Sequence, residues 1–532
     1  MIDINEINKA IALTQEGKFD EAESIYSKLL SENQENPSLL AAAGLFYINK
    51  KDYVKAIDNL TKAWNIKKTA GTVSAIGFAH FELKNYEAAA DWLEKSIEYG
   101  ENADIYGKLI LSLFQIHDYK KAIKYSKVMY EKYPDNPNSV AHMVKSLTQS
   151  GKLLEAERMC VTYLREHQDC AGLWLHLGFL KELIYSDDKQ ACECFKIAAD
   201  LGNIDAFYNI AVSYQKQGNY TEAEKYYKKM LELCPDDTEV ITSYGMCLMK
   251  QKKFKAGYEL FFKRQKSVLD KKTKNKWTPG KEFEKEIVVI CDQGYGDHIQ
   301  FARYLPIIKE KTDKLYVASR DALTDLFKEN YSDIEFISYN DINPNMQSIR
   351  ITDLAYALNI DFNNIPSSKG YLKAGKKELT SDKIKVGLCW EAGGAGIRTM
   401  INRTINIKFL EPIIKLENIQ LYSFQVEDSL GGNESYPQMI NLAKNFHNFK
   451  DTAEALNGID LLITVDTSVA HLAGALGIKT WLLLPYTTDW RWFDDNKTSP
   501  WYDSIEIFKQ KSPISWEEPV KEIVCRLSEY SL

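Results

Sequence analysis

The sequence predicts two fold classes in one chain: an α solenoid of paired helices, followed by an α/β region built on parallel sheets. Two observations carry this. From its start to about residue 265 the chain repeats itself with a period of about 34. Beyond that point, strand–turn–helix passages appear at 286–305 and 461–477, each with an apolar run ending abruptly at a polar turn. At 532 residues the chain is too long for one core. A hydrophobic content of 45% with 27% charged residues is ordinary for a globular protein, and the net charge of −7 argues against wholesale nucleic-acid binding. No stretch reaches the roughly 18 consecutive apolar residues of a membrane span, and Met1–Glu6 lacks a basic and apolar leader. The nine cysteines are scattered, and Cys192 and Cys194 have no second pair to complete a zinc site. They read as reduced core cysteines of a cytoplasmic protein, with no metal expected.

The clearest repeat runs from Ala206, Phe207 and Tyr208 through Gly218-Asn219-Tyr220 to Ala223, Tyr227, Met230 and Pro235. Small residue, aromatic, glycine turn, alanine, aromatic and proline at these offsets is the tetratricopeptide pattern. Gly44 with Ala56 and Gly77 with Ala89 keep the same interval between small positions, Ala22, Ala122 and Ala156 mark further copies, and Gly245 with Gly257 belongs to a degenerate last one. About eight helix pairs over residues 1–265 are expected, with small residues admitting close helix approach and aromatics filling the gaps. Such arrays imply a protein partner in the groove. Residues 266–283, charged and broken by Trp277 and Pro279-Gly280, read as a linker.

A small first lobe is expected over 284–375. Its first strand, Glu286–Cys291, runs into Asp292-Gln293-Gly294-Tyr295-Gly296-Asp297 and a helix. Gly294 and Gly296 let a ligand approach the backbone. Asp297 would repel a pyrophosphate, which suits it better to accepting a proton from a hydroxyl; it also serves equally as a plain helix cap. A second lobe, 376–532, begins with the strand Ile384–Trp390 and a glycine-rich loop, Glu391–Gly396, followed by Arg398 and Arg403. A basic residue over such a loop suits phosphate stabilisation. Gln425 ends the next strand. The run Leu462–Val465 ends at Asp466, Thr467 and Ser468 can cap the following helix, and His471 lies in its first turn, placing a helix N-terminus at the carboxyl edge of a sheet. An ordinary βαβ unit, with Asp466 capping and His471 packed, would show the same residues.

The passages Cys291–Asp297 with Gln300–Pro306, and Val465–Thr467 with Ala470–Gly474, resemble the glycine loop and donor motif of bacterial heptosyltransferase-like (family 9) glycosyltransferases. Together with the repeats, Asp489-Trp490-Arg491-Trp492 and Ser499-Pro500-Trp501-Tyr502 are similar to the repeat-containing branch of that family, flagellin glycosyltransferases included. The resemblance implies a GT-B fold of two Rossmann-like lobes and a metal-independent transfer in the cleft between them. It makes Asp297 the base and Arg403 the cation that meets leaving-group charge. Asp466, Thr467 and His471 would hold the donor, joined by Gly294, Gly296, Gln425 and Ser468 from the reading of the loops. The implied donor is a nucleotide sugar, a CMP-linked nonulosonic acid among the relatives, and the implied acceptor is Ser or Thr of a protein such as flagellin. A short first lobe favours a protein acceptor over a lipid. A glycan or lipid acceptor, and a scaffold that has lost catalysis, stay open as alternatives. Trp490, Trp492 and Trp501 are expected to pack rather than stack on sugar, and a last helix near 519–530 to cross back over the lobes.

Overall fold

The computed structural model describes residues 4–264, 269–366, 368–393, 403–429, 431–494, 497–513 and 515–529. Gly394, Ala395, Gly396 and Arg398 of the expected glycine-rich loop lie outside them. The chain forms two compact units, Met1–Ser213 and Tyr214–Leu532.

Sixteen helices among the described residues, α1 (Ile4–Gln15) to α16 (Phe254–Phe262), form successive antiparallel pairs. Their close approach explains the small residues. A Cβ on Gly44 would lie 2.4 Å from Leu60 Cγ, and one on Gly178 would lie 2.4 Å from the Phe195 ring. Ala56, Ala89, Ala122, Ala156, Ala191 and Ala223 are fully buried on the second helices. Between the helices of every pair one residue takes a left-handed φ of 51° to 75°: Gly17, Lys51, Lys84, His117, Gly151, Ser186, Gly218 and Lys252. Asn and Asp residues cap most of the helices that follow, Asp52 and Asn85 among them. In the first unit Trp64 meets Trp92 edge-on at 6.0 Å, so aromatics bridge one pair to the next.

The second unit holds the α/β region. Its first sheet is wholly parallel, in the order β3 (Glu335–Ile337), β2 (Lys314–Ala318), β1 (Glu286–Ile290), β4 (Gln347–Arg350). The second is also parallel. Its order is β10 (Ile505–Lys509), β9 (Thr480–Leu484), β8 (Leu461–Val465), β5 (Ile384–Cys389), β6 (Ile419–Ser423), β7 (Ile440–Asn441). Read from β7, this is the doubly wound order 3-2-1-4-5-6, and the first sheet is its first four strands. In both sheets the order reverses beside the first strand, at β1 and β4 in one and at β5 and β8 in the other. In open sheets of this order, ligands bind at such a reversal, outside the strands' carboxyl ends.

Three expectations need correction. The stretch 266–283 is not a free hinge over its described part: Trp277 donates its N–H to Ser348 O at 2.8 Å, Ser348 returns one to Asn275 O at 2.9 Å, and Trp277 is buried against Phe262 and Phe283. An apolar ring here has a core to enter, which composition alone does not reveal. The break at 375 comes late, because Tyr371 and Leu372 already bond Ala475 O, and Lys377 bonds Glu454 O, on helices of the second sheet. The last helix, Glu517–Glu529, stays on the second sheet, where Val520, Ile523 and Leu527 join Trp481 and Phe508 in one core. Arg303 is one of the links between the sheets, donating to Trp501 O at 3.0 Å and Pro366 O at 3.3 Å.

Candidate functional site

The site is assembled from two strand-to-helix turns and one loop. After β1, Gln293 adopts a left-handed φ of 71° and Gly294 caps helix α17 (Tyr295–Ala302). Asp297, at its third position, accepts the Gly294 N–H on Oδ2 at 3.1 Å. One carboxylate oxygen thus closes the cap, while Oδ1 accepts from Arg491 Nη2. The second turn follows β8, where Thr467 precedes the helix Ser468–Leu476 without a side-chain cap bond. Its hydroxyl lies 3.3 Å from Thr464 Oγ1 instead. Gly477 ends that helix at φ 75°, where an added Cβ would stand 3.0 Å from Lys369 O. Gly474 sits against the Tyr502 ring, where a Cβ would come within 2.4 Å.

The two helices meet at Gly296, where a Cβ would reach 2.8 Å from the His471 ring. The residue expected to open the backbone to a ligand therefore opens it to the facing helix. His471 is buried, stacks on Trp492 at 5.2 Å, and places Nδ1 3.0 Å from the Tyr502 hydroxyl and Nε2 3.9 Å from Asp466 Oδ1. Burial, reinforced by the Arg491 charge, pushes its pKa down to about 3, so the ring is neutral imidazole. Asp466 Oδ2 stands 3.6 Å from Arg403 Nη1, and Arg403 keeps about a quarter of its side chain exposed. Burial pushes the Asp466 carboxyl up, with Asp489 adding to it and Arg403 opposing. Asp297 is likewise raised by burial, against the pull of Arg491. Ser468 is partly exposed at the helix start.

Arg491 is the residue that sequence reasoning did not single out. It lies on the single turn Trp490–Trp492, and its guanidinium spans Asp297, Asp489 Oδ1 at 2.8 Å and Gln300 Oε1 at 2.7 Å. The only signal was its place in the Asp489–Trp492 run. Gln425, expected to face the donor, is spent elsewhere. Its Oε1 accepts from Trp390 N at 2.9 Å and Glu391 N at 2.8 Å, and its Nε2 donates to Glu391 O and Glu427 O. That side chain shapes the loop after β5 and has no hydrogen left for a ligand. Trp490, Trp492 and Trp501 are all buried. Chemically, the gathered groups are two carboxylates of raised pKa, two guanidiniums and a neutral imidazole beside a helix N-terminus. Such a set can take a proton from a hydroxyl and meet developing phosphate charge.

In the first unit, a groove of about 780 Å³ opens among α10 (Leu153–Leu164), α11 (Ala171–Tyr185) and α12 (Asp188–Asp200), lined by Val161, Leu164, Trp174, Leu177, Ile197 and Leu201.

Residues 204–237 match the tetratricopeptide repeat family model. The N-terminal helices are tetratricopeptide repeats, a scaffold that points to a protein partner. No curated protein sequence matches the chain. Among solved structures, a tetratricopeptide repeat protein from Parabacteroides merdae is similar at 14% identity, over 48% of this chain and 97% of its own, with a TM-score of 0.41. YrrB, a TPR protein with an unusual peptide-binding site, is similar at 20% identity over 33% and 92%, with a TM-score of 0.29. Yeast Tom70 is similar at 16% identity over 46% and 54%, with a TM-score of 0.38. No helix among the described residues is long and apolar enough to cross a membrane.

Proposed function

We propose that the protein is a GT-B glycosyltransferase that moves a sugar from a nucleotide-sugar donor to a Ser or Thr hydroxyl of a protein held by the repeats. The observation that carries this reading is the convergence of Asp297, Arg491, Asp466 and Arg403 where the first turns of two helices meet at the carboxyl edges of two parallel sheets. Flagellin is the acceptor and a CMP-linked nonulosonic acid the donor that the sequence resemblance suggests.

In this reading the acceptor oxygen attacks the anomeric carbon and the bond from that carbon to the donor phosphate oxygen breaks. The hydroxyl proton passes to Asp297, whose raised pKa suits a base. Arg403 and the first turn of the helix Ser468–Leu476 meet the negative charge left on the phosphate. Arg491 holds Asp297 in an ion pair, and the arriving donor phosphate competes for that guanidinium, leaving the carboxylate to the acceptor. The neutral His471 can donate one hydrogen bond without adding charge.

The test is nucleotide release from CMP-, UDP-, GDP- and ADP-sugars by the full-length protein, with and without a candidate acceptor. One donor should be turned over, and Asp297→Asn should slow it by about a hundredfold or more, the usual loss of a general base. Turnover of none of the four, or a full rate in the variant, contradicts the reading.

A further inference from the structure

We propose that Lys250, the last residue of repeat helix α15 (Thr238–Lys250), is a positioning residue for Arg491 and through it for Asp297. The inference rests on the transferase reading for its functional consequence and on geometry for its mechanism.

Lys250 is only 7% exposed, unusual for a lysine. Its ammonium has three hydrogens, and all its contacts fall on one short segment: Thr488 O at 3.1 Å, Asp489 O at 3.1 Å, the Thr488 hydroxyl, and the Asp494 carboxylate at 3.3 Å. Asp494 is fixed in turn by Lys509 at 2.6 Å and by the Tyr220 hydroxyl. The segment 488–494 is thus tied at both ends, and Arg491 stands between the ties.

Rings from the next helix seat the middle of the segment. Phe254 and Tyr258 of α16 meet Trp490 edge-on, at 88° and 90°, and Phe254 lies nearly parallel to Phe493 at 24°. From this seat Arg491 reaches Asp297, Asp489 and Gln300. A buried apolar side chain at 250 would fill the space as well. It would also leave the Thr488 and Asp489 carbonyls without the lysine donor and the Asp494 carboxylate with one cation fewer, which is why packing alone does not account for a lysine.

The experiment compares the full chain with Lys250→Met, and with Asp494→Asn, a milder loss of the same tie should the first fail to fold. Amide hydrogen exchange needs no ligand. We expect exchange across 488–494 to accelerate at least tenfold, while β1 and β8 stay as protected as before. With whichever of the four nucleotide sugars the wild type hydrolyses, kcat should fall at least tenfold. The acid limb of the pH profile, which reports Asp297, should move to higher pH as Arg491 loosens. Unchanged exchange over 488–494 in both variants overturns the proposal, as does faster exchange with kcat and acid limb unmoved. Absence of any hydrolysis by the wild type overturns the transferase reading instead, and exchange alone then decides whether Lys250 positions the segment.

Discussion

Burial decides the chemistry of single residues here. His298, with Nε2 3.0 Å from Asp292 O, and His471 are both held neutral by burial, their pKa values pushed down to about 4 and about 3. Unfolded, each takes up a proton near the ordinary histidine value of about 6.5. Between that pH and the native values the unfolded chain binds more protons, so these histidines remove stability as pH falls from 6.5 toward 4 and cost nothing above it. Asp297 and Asp466, both raised, act oppositely: their protons are held more tightly in the native state, so they lower stability as pH rises through the carboxylate range. The melting temperature should therefore drop between pH 6.5 and 4. His298→Gln, which keeps a donor for Asp292 O, should flatten that slope; an unaltered slope would count against a neutral buried His298. At this scale the sequence was legible where a motif marks a turn: Gly294 and Asp297 start the helix that follows β1, and Asp466 directly follows β8. It was silent on Arg491, because a guanidinium that bridges distant carboxylates leaves no periodicity, and on Gln425, whose saturation depends on a loop 34 residues earlier.

At the scale of elements, the repeats follow from helix approach and turn geometry, both written locally. Gly178 faces Phe195, so Gly178→Ala should destabilise the first unit by about 1–3 kcal/mol through overpacking. An unchanged denaturation midpoint would mean that the ring has room to move. Lys84 takes φ 60° in a turn where other pairs use glycine. Lys84→Gly should therefore be neutral or stabilising by up to about 1 kcal/mol, read by the same denaturation curve; a loss would contradict the strain account. The short strands were harder to read. Gln347–Arg350 and Ile440–Asn441 offer only four and two residues, too few for a pattern. Each exists because an edge of a sheet already formed by stronger runs is available to pair with it.

For the whole molecule, the end of the helical run is not the start of the second compact unit. Arg264, just past α16, is buried with its guanidinium 2.6 Å from both Asp292 and Asp353, and Asp353 also accepts from Arg350. A chain beginning at residue 266 loses that guanidinium, the Lys250 tie and the Phe254 and Tyr258 rings. Removing one partner of a buried ion pair costs about 3–5 kcal/mol. Residues 266–532 should lack a cooperative melt that 214–532 retains; equal melting of the two would show that the last repeats are dispensable. The sequence placed the boundary at the last helix because composition changes there, whereas the ion pairs that fix the compact unit join residues about 28 and 89 apart. In the proposed transfer, the second unit binds a nucleotide at Arg403 and the helix after Asp466. The most direct measurement is the thermal shift of the full chain with CMP, UDP, GDP and ADP, beside Arg403→Ala. A nucleotide at a hundred times its dissociation constant stabilises the state it binds by about 2.7 kcal/mol. One of the four should raise the wild-type melt and leave Arg403→Ala unmoved, although the unliganded proteins melt alike. No shift with any nucleotide, or the same shift in the variant, would contradict the account.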